Sequence, residues 1–214
     1  MSFYPVNLQI NNRSCLVVGG GSVAERKVQS LLAAGASVAV LSPEITESLA
    51  DMARERRITY ISRCYQHGDI GGFFIVICAT NNKEVNQWIA DEANQAGALV
   101  NVIDAPEDGN FVVPSQIARG DLLLTVSTNG KSPALAKKIG AQLAQQYGPE
   151  YGLYLDLLAK ARLKIKEVIS SSKERELFWR QMIDDQVINL LKEGKIQEAE
   201  ARINNAIGCF RSKS

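Results

Sequence analysis

The chain has 214 residues, room for one domain or one domain plus a smaller appendage at roughly 100–200 residues per domain. Its 46% hydrophobic and 22% charged residues exclude wholesale disorder, and a formal net charge of +1 excludes a globally basic nucleic-acid binder. No apolar run approaches the ~18 residues of a membrane span, and Met1-Ser2-Phe3-Tyr4-Pro5 lacks a secretory signal's charged start and apolar core, so a cytoplasmic chain with no membrane or nucleic-acid partner is expected.

Taken in order, Ser14 to Val18 is a compact β-rich run ending in Gly19-Gly20-Gly21. A helix is predicted from about Ser22 to Ala34, with Val23, Leu31 and Leu32 on its apolar side and Gly35 as its stop. Ser37 to Leu41 reads as a strand closed by Ser42-Pro43, and Thr46 to Arg56 as a polar helix leading into the strand Ile58 to Ile61. Phe73 to Ala79 is continuously apolar, as a strand buried on both faces should be. Lys83 to Gln95 is a further helix and Leu99 to Ile103 a fifth strand. Strands alternating with helices predict a parallel, doubly wound α/β sheet.

The pattern changes after Asp104. Residues 104–110 carry turn chemistry, and Phe111 to Pro114 and Asp121 to Thr128 are predicted as short strands with no crossover helix between them. Ser132 as N-cap and Pro133 at the first helical position open a helix to Tyr147. Everything from Tyr151 onward reads as helix, with breaks near 170–172 and at Gly194. Leu153, Leu157, Leu158, Phe178, Trp179, Ile183, Val187 and Leu190 form its expected packing positions. The expected domains are 1–112, a Rossmann-like α/β unit; 113–148, a small α+β segment; and 149–214, a helical domain.

Gly19-Gly20-Gly21-Ser22-Val23-Ala24 fits G-x-G-x-x-[GA] between a strand and a helix, the context in which that string signals dinucleotide binding. Gly19 would turn tightly, Gly21 would let backbone approach a pyrophosphate, and Ala24 would allow close helix–strand packing. The phosphates would then meet free N–H groups at the helix N-terminus. Position 42, where a ribose-binding acid is expected, is Ser; the nearest acid is Glu44 after Pro43, with no Arg to receive a 2′-phosphate, which favours NAD. Thr80 and Asn101 stand at the ends of the fourth and fifth strands, where they would line the cofactor or, for Thr80 and Asn81, cap the next helix. Cys15, Cys64, Cys78 and Cys209 make no C-x-x-C pair and read as ordinary thiols. His67, the single histidine, reads as a solvated turn residue, and no metal site is expected.

Four strings, Gly-Gly-Gly-Ser-Val-Ala-Glu-Arg-Lys at 19–27, Cys-Ala-Thr-Asn at 78–81, Asn-Val-Ile-Asp-Ala-Pro at 101–106 and Ser-Thr-Asn-Gly-Lys-Ser-Pro-Ala-Leu-Ala at 127–136, occur in this order. Together they resemble the siroheme synthase family, specifically its precorrin-2 dehydrogenase module without the methyltransferase domain. The resemblance implies NAD-dependent oxidation of precorrin-2 to sirohydrochlorin. In some members the same site also inserts ferrous iron, a ferrochelatase (lyase) activity. It implies cofactor contacts at Ser22, Val23, Pro43 and Glu44, a role for Asp104 in both reactions, and a homodimer paired through about 113–148. A serine phosphorylated in one branch corresponds to Thr128.

The chemistry asks for the same kinds of group. Dehydrogenation releases a proton beside the hydride acceptor and needs a base there, and Asp104 follows a strand whose end should face the nicotinamide. A substrate of many carboxylates calls for cations and helix N-termini. Thr128, Asn129, Gly130, Lys131 and Ser132 lead into such a terminus, with Arg119, Lys137 and Lys138 as further candidates. Arg26 and Lys27 are expected to face solvent or a dimer partner. The competing reading is an NAD(H)-sensing regulatory protein, which accounts for the glycines but gives no reason for the anion-friendly loop after Ser127.

Overall fold

The computed structural model describes residues 3–183 and 185–211. The chain divides into two compact units, Met1–Val113 and Pro114–Ser214.

In the first unit the elements follow as β1 (Ser14–Val18), α1 (Ser22–Ala33), β2 (Ser37–Leu41), α2 (Glu47–Arg54), β3 (Thr59–Ile61), β4 (Ile75–Cys78), α3 (Lys83–Gln95) and β5 (Leu99–Val102). The strands form one parallel sheet in the order β3-β2-β1-β4-β5. A β1 that must satisfy two hydrophobic layers needs apolar residues at every position, and it has them. Cys15 and Val17 enter the layer with Val28, Leu31, Leu49 and Met52; Leu16 and Val18 enter the layer with Ile89, Ala90 and Ala93. Helices α1 and α2 therefore cover one face of the sheet and α3 the other.

The crossover from β3 to β4 contains no helix. Residues 62–74 instead cross the α3 face as a loop, burying Ile70 and packing Tyr65 and Phe73 on that core. Polar clamps hold it: Arg63 donates from both terminal nitrogens to Asp69 at 2.6 and 2.6 Å, and Glu92 of α3 accepts from the Tyr65 hydroxyl and from the Gly68 N–H at 2.8 Å. His67 lies on this loop, its side chain 89% exposed and its Nδ1 2.6 Å from Glu92. The lone histidine thus belongs to the crossover.

The second unit begins with an antiparallel hairpin, β6 (Ser115–Arg119) and β7 (Leu122–Val126), followed by α4 (Pro133–Gln146), α5 (Glu150–Val168), α6 (Ser172–Met182), α7 (Asp185–Lys192) and α8 (Ile196–Arg211). The hairpin packs closely on α4: a Cβ at Gly140 would stand 2.8 Å from the Ser115 hydroxyl oxygen. Tyr154, Leu157, Ile165, Phe178, Val187 and Ile203 are among the residues of the helical core.

Two expectations need correction. Residues 111–114 are not a strand; the strand is Ser115–Arg119. The Asn110 and Phe111 N–H groups both reach Val100 O, at 3.0 and 3.4 Å, the Asn101 amide donates to Phe111 O at 3.1 Å, and Pro114 has no N–H for a ladder. Not all the expected tail positions pack inward either: Leu157, Phe178 and Val187 are buried, but Leu153 and Ile183 are 42% and 65% exposed. Among the described residues no helix is long and apolar enough to cross a membrane.

Candidate dinucleotide and proton-transfer site

The site is built where β1 passes into α1. The Gly19 N–H is held by Leu41 O at 2.9 Å, and its φ of +121° lies in the region that favours glycine. A Cβ there would also stand 2.3 Å from Ala79 O, so the turn leaving β4 abuts it. Gly20, to which the motif assigns no role, is as constrained: its Cβ would fall 1.9 Å from Glu44 O, and its own carbonyl accepts from Thr46 N at 3.0 Å. Gly21 is the reverse case. It is the extended N-cap of α1, makes no side-chain cap hydrogen bond, and its missing Cβ would meet nothing within 4 Å. Gly21, Ser22 and Val23 are exposed, while Ala24 is fully buried against the sheet.

An uncapped helix start that is open above Gly21 suits a diphosphate, because the first-turn N–H groups have no intrahelical acceptor and the helix dipole is positive there. This is also the point where the strand order reverses between β1 and β4, the topological position of ligand sites in open α/β sheets. Val23 is 39% exposed, so the side chain expected on the apolar face of α1 is not part of it; Ala24, Val28 and Leu31 make that face.

Pro43 and Glu44 are exposed just beyond β2, and the Glu44 backbone touches the glycine turn. Glu25 fixes this loop from α1 by accepting from the Thr46 hydroxyl at 2.8 Å. On the other flank, the Thr80 hydroxyl donates to the Asn86 side chain at 2.7 Å, and the Asn86 amide donates to Thr80 O at 3.0 Å. The cap of α3 is Asn82, which accepts from Val85 N at 3.2 Å, one residue later than the Thr80-Asn81 pair. Asn101 is 5% exposed, with its amide spent on Phe111 O, so its visible work is pinning the loop after β5.

That loop carries Asp104. Ile103 N bonds Cys78 O at 3.2 Å, and Asn110 extends the edge of β5 by accepting from Val100 N and donating to Ala98 O, both at 2.9 Å. Val18, Cys78 and Val102 stand in one register row across β1, β4 and β5. Gly20 and Asp104 each lie two residues beyond that row, past the carboxyl ends of β1 and β5. The Asp104 carboxylate is exposed and makes no hydrogen bond or ion pair with the described residues.

In the second unit, Thr128 O accepts from Lys131 N at 3.0 Å, while Asn129 and Gly130 have φ of 52° and 78°, a type I′ turn. The Thr128 hydroxyl accepts from Ser132 N at 3.1 Å, and Ser132 caps α4 by accepting from Leu135 N at 3.2 Å. Lys131 and Lys137 are exposed beside this terminus. Arg119 is not brought to it. Arg119 pairs with Leu122 at the closed end of the hairpin, whereas Thr128 follows Val126 at the open end. Its guanidinium is committed to Ala118 O, Ala144 O and Tyr147 O at 2.9, 3.1 and 3.0 Å, capping the C-terminus of α4. A cavity of about 420 Å³ at the opposite, N-terminal edge of the sheet, lined by Arg13, Phe73, Phe74 and Gly97, holds none of these residues.

Comparison with known proteins agrees with this geometry. Residues 6–115 match a family model described as NAD(P)-binding, 119–146 one described as sirohaem biosynthesis protein central, and 150–207 one described as sirohaem synthase dimerisation region. A solved structure of SirC, precorrin-2 dehydrogenase, superposes with a TM-score of 0.79 at 30% identity, covering 95% of this chain and 100% of that one. The chain belongs to the siroheme synthase family. Siroheme synthases of Vesicomyosocius okutanii and Methylobacillus flagellatus are 33% and 36% identical to it over 97% and 94% of this chain. The chain spans 45% and 43% of those two relatives, less than half their length. Within this siroheme synthase-family chain, the family's dimerisation model falls on the helices after residue 149, whereas the segment expected to pair subunits was 113–148.

Proposed function

We propose that this chain oxidises precorrin-2 to sirohydrochlorin in siroheme biosynthesis, with NAD as hydride acceptor and Asp104 as the base. The observation that carries the reading is the free Asp104 carboxylate, held on the carboxyl edge of the sheet two strands from an open, uncapped glycine turn. The full-length likeness to SirC supports the substrate class.

Gly19, Gly21, Ser22, Val23 and Ala24 form the diphosphate cradle in this reading. Exposed Glu44, beside Pro43, receives the ribose hydroxyls at the end of β2, so the other half of the dinucleotide runs towards β4, past Thr80 and Asn101. NAD, when bound, supplies a ring carbon that accepts a hydride. Asp104 takes the accompanying proton, so the substrate loses two hydrogens as one hydride and one proton. A solvated carboxylate without partners among the described residues can take up that proton with no ion pair to break. In the second unit, the capped start of α4 with Thr128, Asn129, Gly130, Ser132, Lys131 and Lys137 is the carboxylate receiver. Arg119 carries no substrate role in this reading, since its donors already cap α4. Ferrous iron is a second substrate, the same carboxylate taking pyrrole N–H protons as the ion enters sirohydrochlorin. The chain works as a homodimer paired through the unit that begins at Pro114.

The test is an anaerobic assay with enzymatically generated precorrin-2 and NAD⁺, following NADH absorbance. Stoichiometric NADH and sirohydrochlorin are expected; NADH binding without any tetrapyrrole oxidation overturns the reading. Cobalt or iron insertion into sirohydrochlorin without NAD⁺ tests the second activity separately.

A further inference from the structure

Lys27 has the surroundings of a binding group left without its partner. It is half-buried on α1, and no described acid or hydrogen-bond acceptor engages its ammonium. Burial pushes its pKa down, and the neighbouring Arg26 charge adds to the effect. A lysine in that position costs folding energy unless an anion arrives.

The helix geometry says from which side. At about 100° per residue, Lys27 lies about 200° around α1 from Glu25. Glu25 reaches towards α2 by accepting from Thr46. Lys27 therefore stands on the flank of α1 opposite α2, on the sheet face whose core also includes Ile77, Ile103 and Phe111. It is one turn below exposed Val23 on that flank. Helical side chains lean towards the N-terminus, so the Lys27 stem runs back along Val23 towards the carboxyl edge of the sheet. Lys27 lies five residues, about 7.5 Å, below the start of α1 at Ser22, so the first turn is within the span of an extended lysine side chain.

We propose that Lys27 binds a carboxylate of the tetrapyrrole substrate on the flank of α1 opposite Glu25 and α2. The proposal rests on the functional reading above, and it turns a residue expected to face solvent or a partner into part of the substrate site. The anion could come instead from the cofactor diphosphate, and separate binding measurements distinguish the two sources.

Sirohydrochlorin and NADH are titrated separately into the full chain and into Lys27→Met and Lys27→Arg, reading tetrapyrrole absorbance and nicotinamide fluorescence. Lys27→Met keeps the apolar stem and removes the charge, so its unfolding midpoint is expected to equal or exceed that of the unaltered chain. Its sirohydrochlorin Kd is expected to rise about tenfold, with the NADH Kd changed by less than about twofold and Lys27→Arg recovering most of the loss. Weakened NADH binding with unchanged sirohydrochlorin binding overturns the proposal in favour of the diphosphate. Unchanged binding of both overturns it outright. An unaltered chain that binds no sirohydrochlorin overturns the functional reading and this one together.

Discussion

The Asp104 carboxylate is exposed and makes no hydrogen bond or ion pair with the described residues, so the fold does not draw on it. Asp104→Asn is therefore expected to lower precorrin-2 oxidation by about 10²–10⁴-fold while leaving NADH affinity and the unfolding midpoint unchanged; normal turnover removes the proposed base. Gly20 is the opposite kind of residue. Any Cβ there meets the Glu44 carbonyl at 1.9 Å, a backbone atom that cannot step aside. Gly20→Ala is expected to displace the loop after β2, weakening NADH binding at least about tenfold and lowering the unfolding midpoint. The motif pointed to Gly19, Gly21 and Ala24, because those positions face a ligand or a strand in any such unit. Gly20 was not legible, because the demand on it comes from a loop more than twenty residues away. Lys27 was legible in principle, since its phase relative to Glu25 can be read from spacing alone. What spacing does not reveal is that α2 occupies the Glu25 side.

At the scale of elements, β1, β2 and β4 could be read because each is covered on both faces and, past an exposed opening Ser in β1 and β2, runs apolar without a break. β6 could not: in Ser-Gln-Ile-Ala-Arg only Ile117 is buried, and a two-stranded hairpin with one covered face asks for little more. Arg119 shows the same limit for the site. Proximity in sequence placed it with Lys131 and Lys137, but the hairpin carries it to the far end and α4 takes its donors. The continuous burial of β4 has a measurable consequence. Cys78 is fully buried between Val18 and Val102, and burial pushes its thiol from 9.0 up to about 12. The unfolded thiol ionises near pH 9 while the folded one stays protonated. Its contribution to stability is therefore present in full below that pH and is lost as pH rises towards 12. Cys78→Val fits the apolar row and does not ionise. Its urea midpoint is expected to fall less steeply than that of the unaltered chain between about pH 8.5 and 10; Tyr65, also raised by burial, is present in both chains and cancels in the comparison. Equal slopes would show that the thiol is not the group responsible.

For the molecule as a whole, the first unit holds every residue proposed to touch the nucleotide, and it has two hydrophobic layers of its own. The second unit has a separate helical core and the start of α4. A unit of 113 residues with its own core is of ordinary domain size and is expected to fold alone. The edge of β5 does not depend on the second unit for cover, because Asn110 supplies its own donor and acceptor to that strand. A fragment of residues 1–113 should therefore unfold cooperatively and bind NADH within about threefold of the full chain's Kd. The same fragment should not oxidise precorrin-2 at a measurable rate, because it lacks the carboxylate-receiving turn at 128–132. Fluorescence titration and the NADH absorbance assay, run on one preparation, separate the two properties. A fragment that binds NADH and turns over precorrin-2 normally would confine the substrate site to the first unit, leaving Lys27 as its cationic anchor. A fragment that folds but does not bind NADH would mean that the glycine turn alone does not make the nucleotide site.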